Sequence, residues 1–159
     1  MTIIRDSEDL LLTTRDLLKD HINTFITKIN TEKGDTLLDP FSDNEFFFFF
    51  RGKPNLKKMI YIFNGDVNIN SNRGGLAQIS DIFCWIVINQ QLNDDSFFKS
   101  LRYMRAIQDT LNSRILMDIE NTSSDITLEQ IAPFDIEQKD KFPSTIVSGV
   151  RFSIDIAIS

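Results

Sequence analysis

I-S-D-I-F-C-W-I-V-I-N, running from Ile79 to Asn89, is the stretch whose reading decides the fold. From Ile82 to Ile88 it is apolar without a break and holds the only Cys and the only Trp of the chain, Cys84 and Trp85. Branched and aromatic side chains of this kind fit a pleated surface. Successive strand residues point to opposite faces, so a short run that is apolar at odd and even positions predicts a central strand covered on both sides. A turn of buried helix is the competing reading, and the shortness of the run ranks it second.

Upstream, Met59 to Phe63 reads as the neighbouring strand, closed by Asn64-Gly65-Asp66. Val67 and Ile69 then alternate with Asn68 and Asn70 as far as Asn72-Arg73-Gly74-Gly75, which predicts a long polar hairpin arm near residues 64–76. The glycine pair is no phosphate loop, because neither a following Lys-Ser/Thr nor a G-x-G-x-x-G pattern accompanies it. Five consecutive phenylalanines, Phe46 to Phe50, come before that. As a strand they send Phe46, Phe48 and Phe50 to one face, and Phe47 and Phe49 to the other. A buried Phe contributes roughly 1.5–3 kcal/mol, so such a run is seldom left in water. Either helices cover one face and a partner subunit the other, or the strand is an aggregation hazard; the partner is the favoured reading. Arg51, Lys53, Lys57 and Lys58 around Pro54 read as a solvated hairpin end rather than a nucleic-acid patch.

Two amphipathic helices flank these strands. Leu11, Leu18, Ile22, Phe25 and Ile29 recur at helical spacing, with Ser7 as the start signal, acids in the first turn and Gly34 as the stop. The expected span is Ser7 to about Asn30, followed by a connector, Thr36 to Asn44, that turns at Pro40. Phe97, Leu101, Met104, Leu111 and Ile115 trace a second helix, Ser96 to about Met117, capped by Asp94 or Asp95. Lys99, Arg102, Arg105 and Arg114 tilt its outer surface towards positive charge, which reads first as a solvated face. Ile126 to Ile136 is a strand interrupted at Pro133, hence an edge or a bulge. In the last strand Val150, Phe152, Ile154, Ile156 and Ile158 face one way, and Arg151, Ser153, Asp155, Ala157 and Ser159 the other. Period two held this long places one face on a core and the other against water or a polar partner.

The sum is an α+β fold: a mainly antiparallel sheet packed by two amphipathic helices, in the order α-β-β-β-α-β-β, as a single domain over residues 1–159 with one protruding arm. The 159 residues, 42% hydrophobic and 25% charged, are ordinary for a globular domain. A formal charge of -6 supplies no basic patch of the kind that dominates duplex DNA binding. One cysteine allows no internal disulfide and no cysteine-based zinc site, and one histidine makes zinc catalysis remote. No apolar run approaches the roughly 20 residues of a membrane helix, and no secretion signal opens the chain. His21 has no nucleophile at a recognisable spacing, and Asp118, Glu120 and Asp125 lack a calcium-loop pattern. No catalytic residue, cofactor or metal is expected.

Five segments recur in one arrangement. They are the helix D-L-L-L-T-T-R-D-L-L-K-D-H-I, the strand pair ending I-Y-I-F-N-G-D, the apolar strand D-I-F-C-W-I-V-I, the helix F-F-K-S-L-R-Y-M-R-A-I-Q-D-T-L and the closing strand V-R-F-S-I-D-I-A-I-S. In order and spacing they resemble the tail terminator family of long-tailed bacteriophages, from which the Phe run is a departure. Related neck proteins, including tail completion proteins, share that fold. The resemblance implies a virion protein assembled in the host bacterial cytoplasm. It would form a homo-oligomeric ring, usually a hexamer, that caps the tail tube protein and docks the head-tail connector protein. DNA would pass through the lumen without sequence-specific binding, and no catalysis or membrane would be involved. Ring contacts are expected at Phe47 and Phe49, at Val67, Ile69 and Arg73 of the arm, and at Arg151 and Asp155 on the polar face of the last strand. A non-viral α+β adaptor, dimerising through the Phe-rich strand, is the other class.

Overall fold

The computed structural model describes residues 2–48, 56–65, 67–70, 76–90, 93–122, 127–136 and 145–157. Helix α1 spans Ser7–Lys33. Its cap is Asp6 rather than Ser7: the Asp6 carboxylate accepts the Asp9 N–H at 2.9 Å, while Glu8 and Asp9 meet the positive end of the helix. Gly34 ends it in the left-handed region, φ 69°, its N–H turned back onto the last carbonyls, which is the conformation that glycine adopts without strain. Helix α2 spans Asp94–Asp118. Its cap is Asn93, one residue before the two aspartates expected to serve: Asn93 Oδ1 accepts the Ser96 N–H and Ser96 Oγ accepts the Asn93 N–H, both at 2.9 Å. Asp94 and Asp95 are left to face the helix dipole.

The strands are β1 (Phe46–Phe47), β2 (Lys58–Asn64), β3 (Val67–Asn70), β4 (Leu76–Ile88), β5 (Thr127–Ile136) and β6 (Thr145–Ala157). They form one sheet in the order β1-β2-β4-β6-β5, with β3 also pairing β4. Only β1 and β2 run parallel; every other pair is antiparallel. The expected order α-β-β-β-α-β-β is found in α1, β1, β2, β4, α2, β5 and β6, with the arm adding β3 between β2 and β4. Strand β4, built on the Ile79–Asn89 stretch, is central as expected, with β2 on one side and β6 on the other. Strands β2 and β3 meet it in one unshifted register, Asn64 opposite Ile82 and Val67 opposite Ile79, so the arm is the far end of a single long hairpin. Strand β6 follows β4 out along that arm, with its register shifting between Ile79 and Ile82. Strand β5 is an edge, and its ladder is irregular between Ile131 and Phe134, around Pro133, so both readings of that proline hold.

Both helices lie on one face of this sheet. Ile60, Ile62, Ile82, Cys84, Ile86, Ile88, Val150, Phe152, Ile154 and Ile156 meet Leu10, Leu18, Ile22, Ile26 and Ile29 of α1 and Tyr103, Met104, Ile107, Leu111 and Ile115 of α2 in one buried core. The alternation of the last strand is found as read as far as Ile156; Ile158 lies outside the described residues. In the Phe run, β1 covers only Phe46 and Phe47, and Phe48 is already in a bend. Alternation holds over these three: Phe46 and Phe48 pack on the helix-side core, with the Arg15 guanidinium over the Phe48 ring, while Phe47 joins the other face. Phe49 and Phe50 lie outside the described residues.

The connector after α1 is held closely. Asn30 donates to Leu38 O and accepts from Leu38 N, and Asn23 does the same for Phe41, so two side-chain amides imitate strand partners for an extended segment. The Tyr103 hydroxyl, from α2, donates to Asp39 O and accepts from Asp39 N. The basic surface of α2 faces this segment and is not simply solvated: Lys99 pairs with Asp39, Arg102 with Asp35 and Arg105 with Glu32. Three cations one helical turn apart thus meet three acids that run the opposite way. Lys58, read as part of a solvated turn, stands inside β2 and pairs with the buried Glu45 at 3.1 Å, its ammonium 4.9 Å from the Phe41 ring centre. At the other end of the molecule Asn121 clamps Ile4 by the same two hydrogen bonds, and Thr2 bridges Ile119. The Asn121 amide, first residue of an N-x-S/T sequence, is therefore fully engaged. Among the described residues no helix is long and apolar enough to cross a membrane.

Candidate functional site

Among the described residues both helices lie on one face of the sheet, which leaves the opposite face as the place to look for a partner surface. Period two puts Met59, Tyr61, Phe63, Phe83, Trp85, Val87, Val147, Gly149 and Arg151 there. Met59, Tyr61, Val87 and Val147 are buried together, with Phe47, Leu56, Phe63 and Trp85 packed partly exposed against them. Burial raises the Tyr61 phenol above its usual titration range. Phe47 stacks on Tyr61, ring centres 5.5 Å apart, so it is anchored within its own chain and offers a partner only what remains uncovered.

Further along the same face, three partly exposed rings form a plate. Phe63 and Phe83 are cross-strand partners stacked at 5.0 Å, and Trp85 meets Phe63 edge-on at 5.4 Å. Trp85 stands opposite Gly149 in the β4–β6 ladder, and its ring is turned 72° from that of Phe63 and 90° from that of Phe83. A Cβ added at Gly149 would sit 3.0 Å from the indole Cδ1 and 2.7 Å from Cys84 O, so glycine is what lets the indole lie down on β6. The expectation that β4 is covered on both faces is corrected here. Ile82, Cys84, Ile86 and Ile88 are sealed under the helices; on the other side Val87 is buried, whereas Phe83 and Trp85 remain partly exposed. The Cys84 thiol lies on the sealed side, and burial pushes its pKa up, which keeps it protonated and unreactive.

The other residues named as ring contacts are dispersed. Val67 and Ile69 lie on β3, opposite Ile79 and Ala77. Arg73 lies outside the described residues, as does Phe49. Arg151 and Asp155 are on β6, on the helix-free face, and Arg151 makes an ion pair with Glu129, its direct cross-strand partner on β5. Phe47, Arg151 and Asp155 therefore share one face, and the plate of Phe63, Phe83 and Trp85 is the part of it that the sequence reading did not single out. The available signal was parity: the odd positions of the central apolar run carry its two aromatic residues.

His21 lies half-exposed in a groove of about 500 Å³ between α1 and the C-terminal part of α2, shared with Asp9, Asp16, Asp20, Arg114 and Asp118. The fold thus brings His21 and Asp118 to one groove, although Glu120 does not line it and Asp125 lies outside the described residues. Arg114 and Asp118 are occupied with each other at 3.1 Å, and neither Ser nor Cys lines the groove. Among the described residues no group of three or more His, Cys, Asp or Glu side chains is placed to hold a metal ion.

These features define a two-layer α+β domain with one helix-sealed face and one aromatic face. No protein-family model matches the chain, and no curated protein matches it.

Proposed function

We propose that this chain is a structural subunit that closes into a ring, in the manner of a phage tail terminator, capping a tail tube and joining it to a head connector. The observation that carries the reading is the plate of Phe63, Phe83 and Trp85, partly exposed on the side of the sheet that no helix covers. Aromatic side chains supply large contact area and a disproportionate share of interface energy, and are enriched where subunits meet. The hairpin formed by β2, β3 and β4 adds reach, since a long β extension is suited to lie on a neighbouring copy. A repeated head-to-tail contact closes into a ring once its rotation completes a circle. DNA as a passenger fits the net charge of -6, because like charge in a lumen prevents adhesion. A neck or tail-completion station on the same particle would use the same surface.

Mass measurement by light scattering, across a concentration series, tests the proposal together with imaging of the purified protein. The expected result is a particle several times the 18.4 kDa subunit mass with a central opening. A monomer at every concentration would overturn the ring, and a dimer without an opening would favour the adaptor class instead.

A further inference from the structure

We draw no further inference here: the strongest candidate, the acidic groove between α1 and the C-terminal part of α2 where Asp16, Asp20 and His21 lie with Arg114 and Asp118, is a cluster of carboxylates with no second observation in the structure that points to a ligand.

Discussion

The two faces of the sheet are built from the same strands, yet they are different surfaces. Under the helices the strand side chains are mostly aliphatic, with Ile60, Ile62, Ile82 and Ile86 fully enclosed. On the opposite side aromatic rings cluster beside Met59, Val87 and Val147, with Trp85 against Gly149 and Phe63 stacked on Phe83. Branched aliphatic side chains interlock with helix ridges and fill a closed layer at crystal-like density. Aromatic rings supply large contact area, and Phe63, Phe83 and Trp85, although packed on one another, still expose apolar surface that another molecule can use. The contrast separates residues enclosed within the subunit from residues that keep part of their surface exposed.

The largest expected effect comes from breaking the helix-covered side. Replacing Phe152 with Ala removes a side chain that is 1% exposed, and it should cost about 3–5 kcal/mol in urea unfolding. A loss below about 1 kcal/mol would mean that the helices do not seal this face. Next is Gly149→Ala, where the new methyl would press on the backbone oxygen of Cys84. That overpacking should cost about 1–3 kcal/mol, and the emission of the single Trp should shift as the indole is lifted. Unchanged emission with unchanged stability would show that the indole does not lie on that glycine.

Phe83→Ser probes the open side. Its ring is already partly exposed, so the subunit should lose only about 1 kcal/mol, while the assembled mass falls towards that of a single copy. If the mass is retained, the plate is not a subunit contact. If the variant unfolds like Phe152→Ala, the two faces are not the distinct surfaces argued above.

The smallest effect concerns the connector. Hydrogen bonds from Arg102 and Arg105 hold the carboxyls of Asp35 and Glu32 below their ordinary range. A carboxyl depressed in the folded state contributes stability above its unfolded pKa, near 4, and that contribution is lost as pH falls through the lower folded value. The difference in Tm between the protein and Arg102→Gln should therefore be largest near neutral pH and vanish in acid. It should also shrink with added salt, because the pair is solvent-accessible. A difference that is constant with pH would remove the ion pair from the account.

Periodicity carried most of the fold. The central strand, both helices, the C-terminal alternation as far as Ile156 and the Pro133 irregularity are local patterns, and each is present. What local patterns do not carry is pairing across sequence distance. Lys99, Arg102 and Arg105 read as solvated because their acids stand 60 to 73 residues away on α1 and its connector. Lys58 read as a turn residue because nothing local announces a buried carboxylate at Glu45. The caps moved by one residue because Ser, Asp and Asn are near-equivalent as N-caps, and the extended backbone that precedes a helix decides among them. The candidate surface was half legible. Phe47, Arg151 and Asp155 fall on the helix-free face, but the plate beside them depends on which parity the helices choose to cover, and that is settled only when the layers pack.

Strand β4 sits at the middle of the sheet, and along one of its two flanks it pairs with β6, which comes much later in the chain, as the pairing of Cys84 with Val150 shows. The hairpin with β2 and β3 closes early and cheaply, whereas the second side of β4 must wait for a distant strand and pay a long loop closure. A chain still being synthesised therefore displays one unpaired flank of its most apolar strand until β6 has emerged from the ribosome. Premature association of half-made copies is the hazard this layout creates.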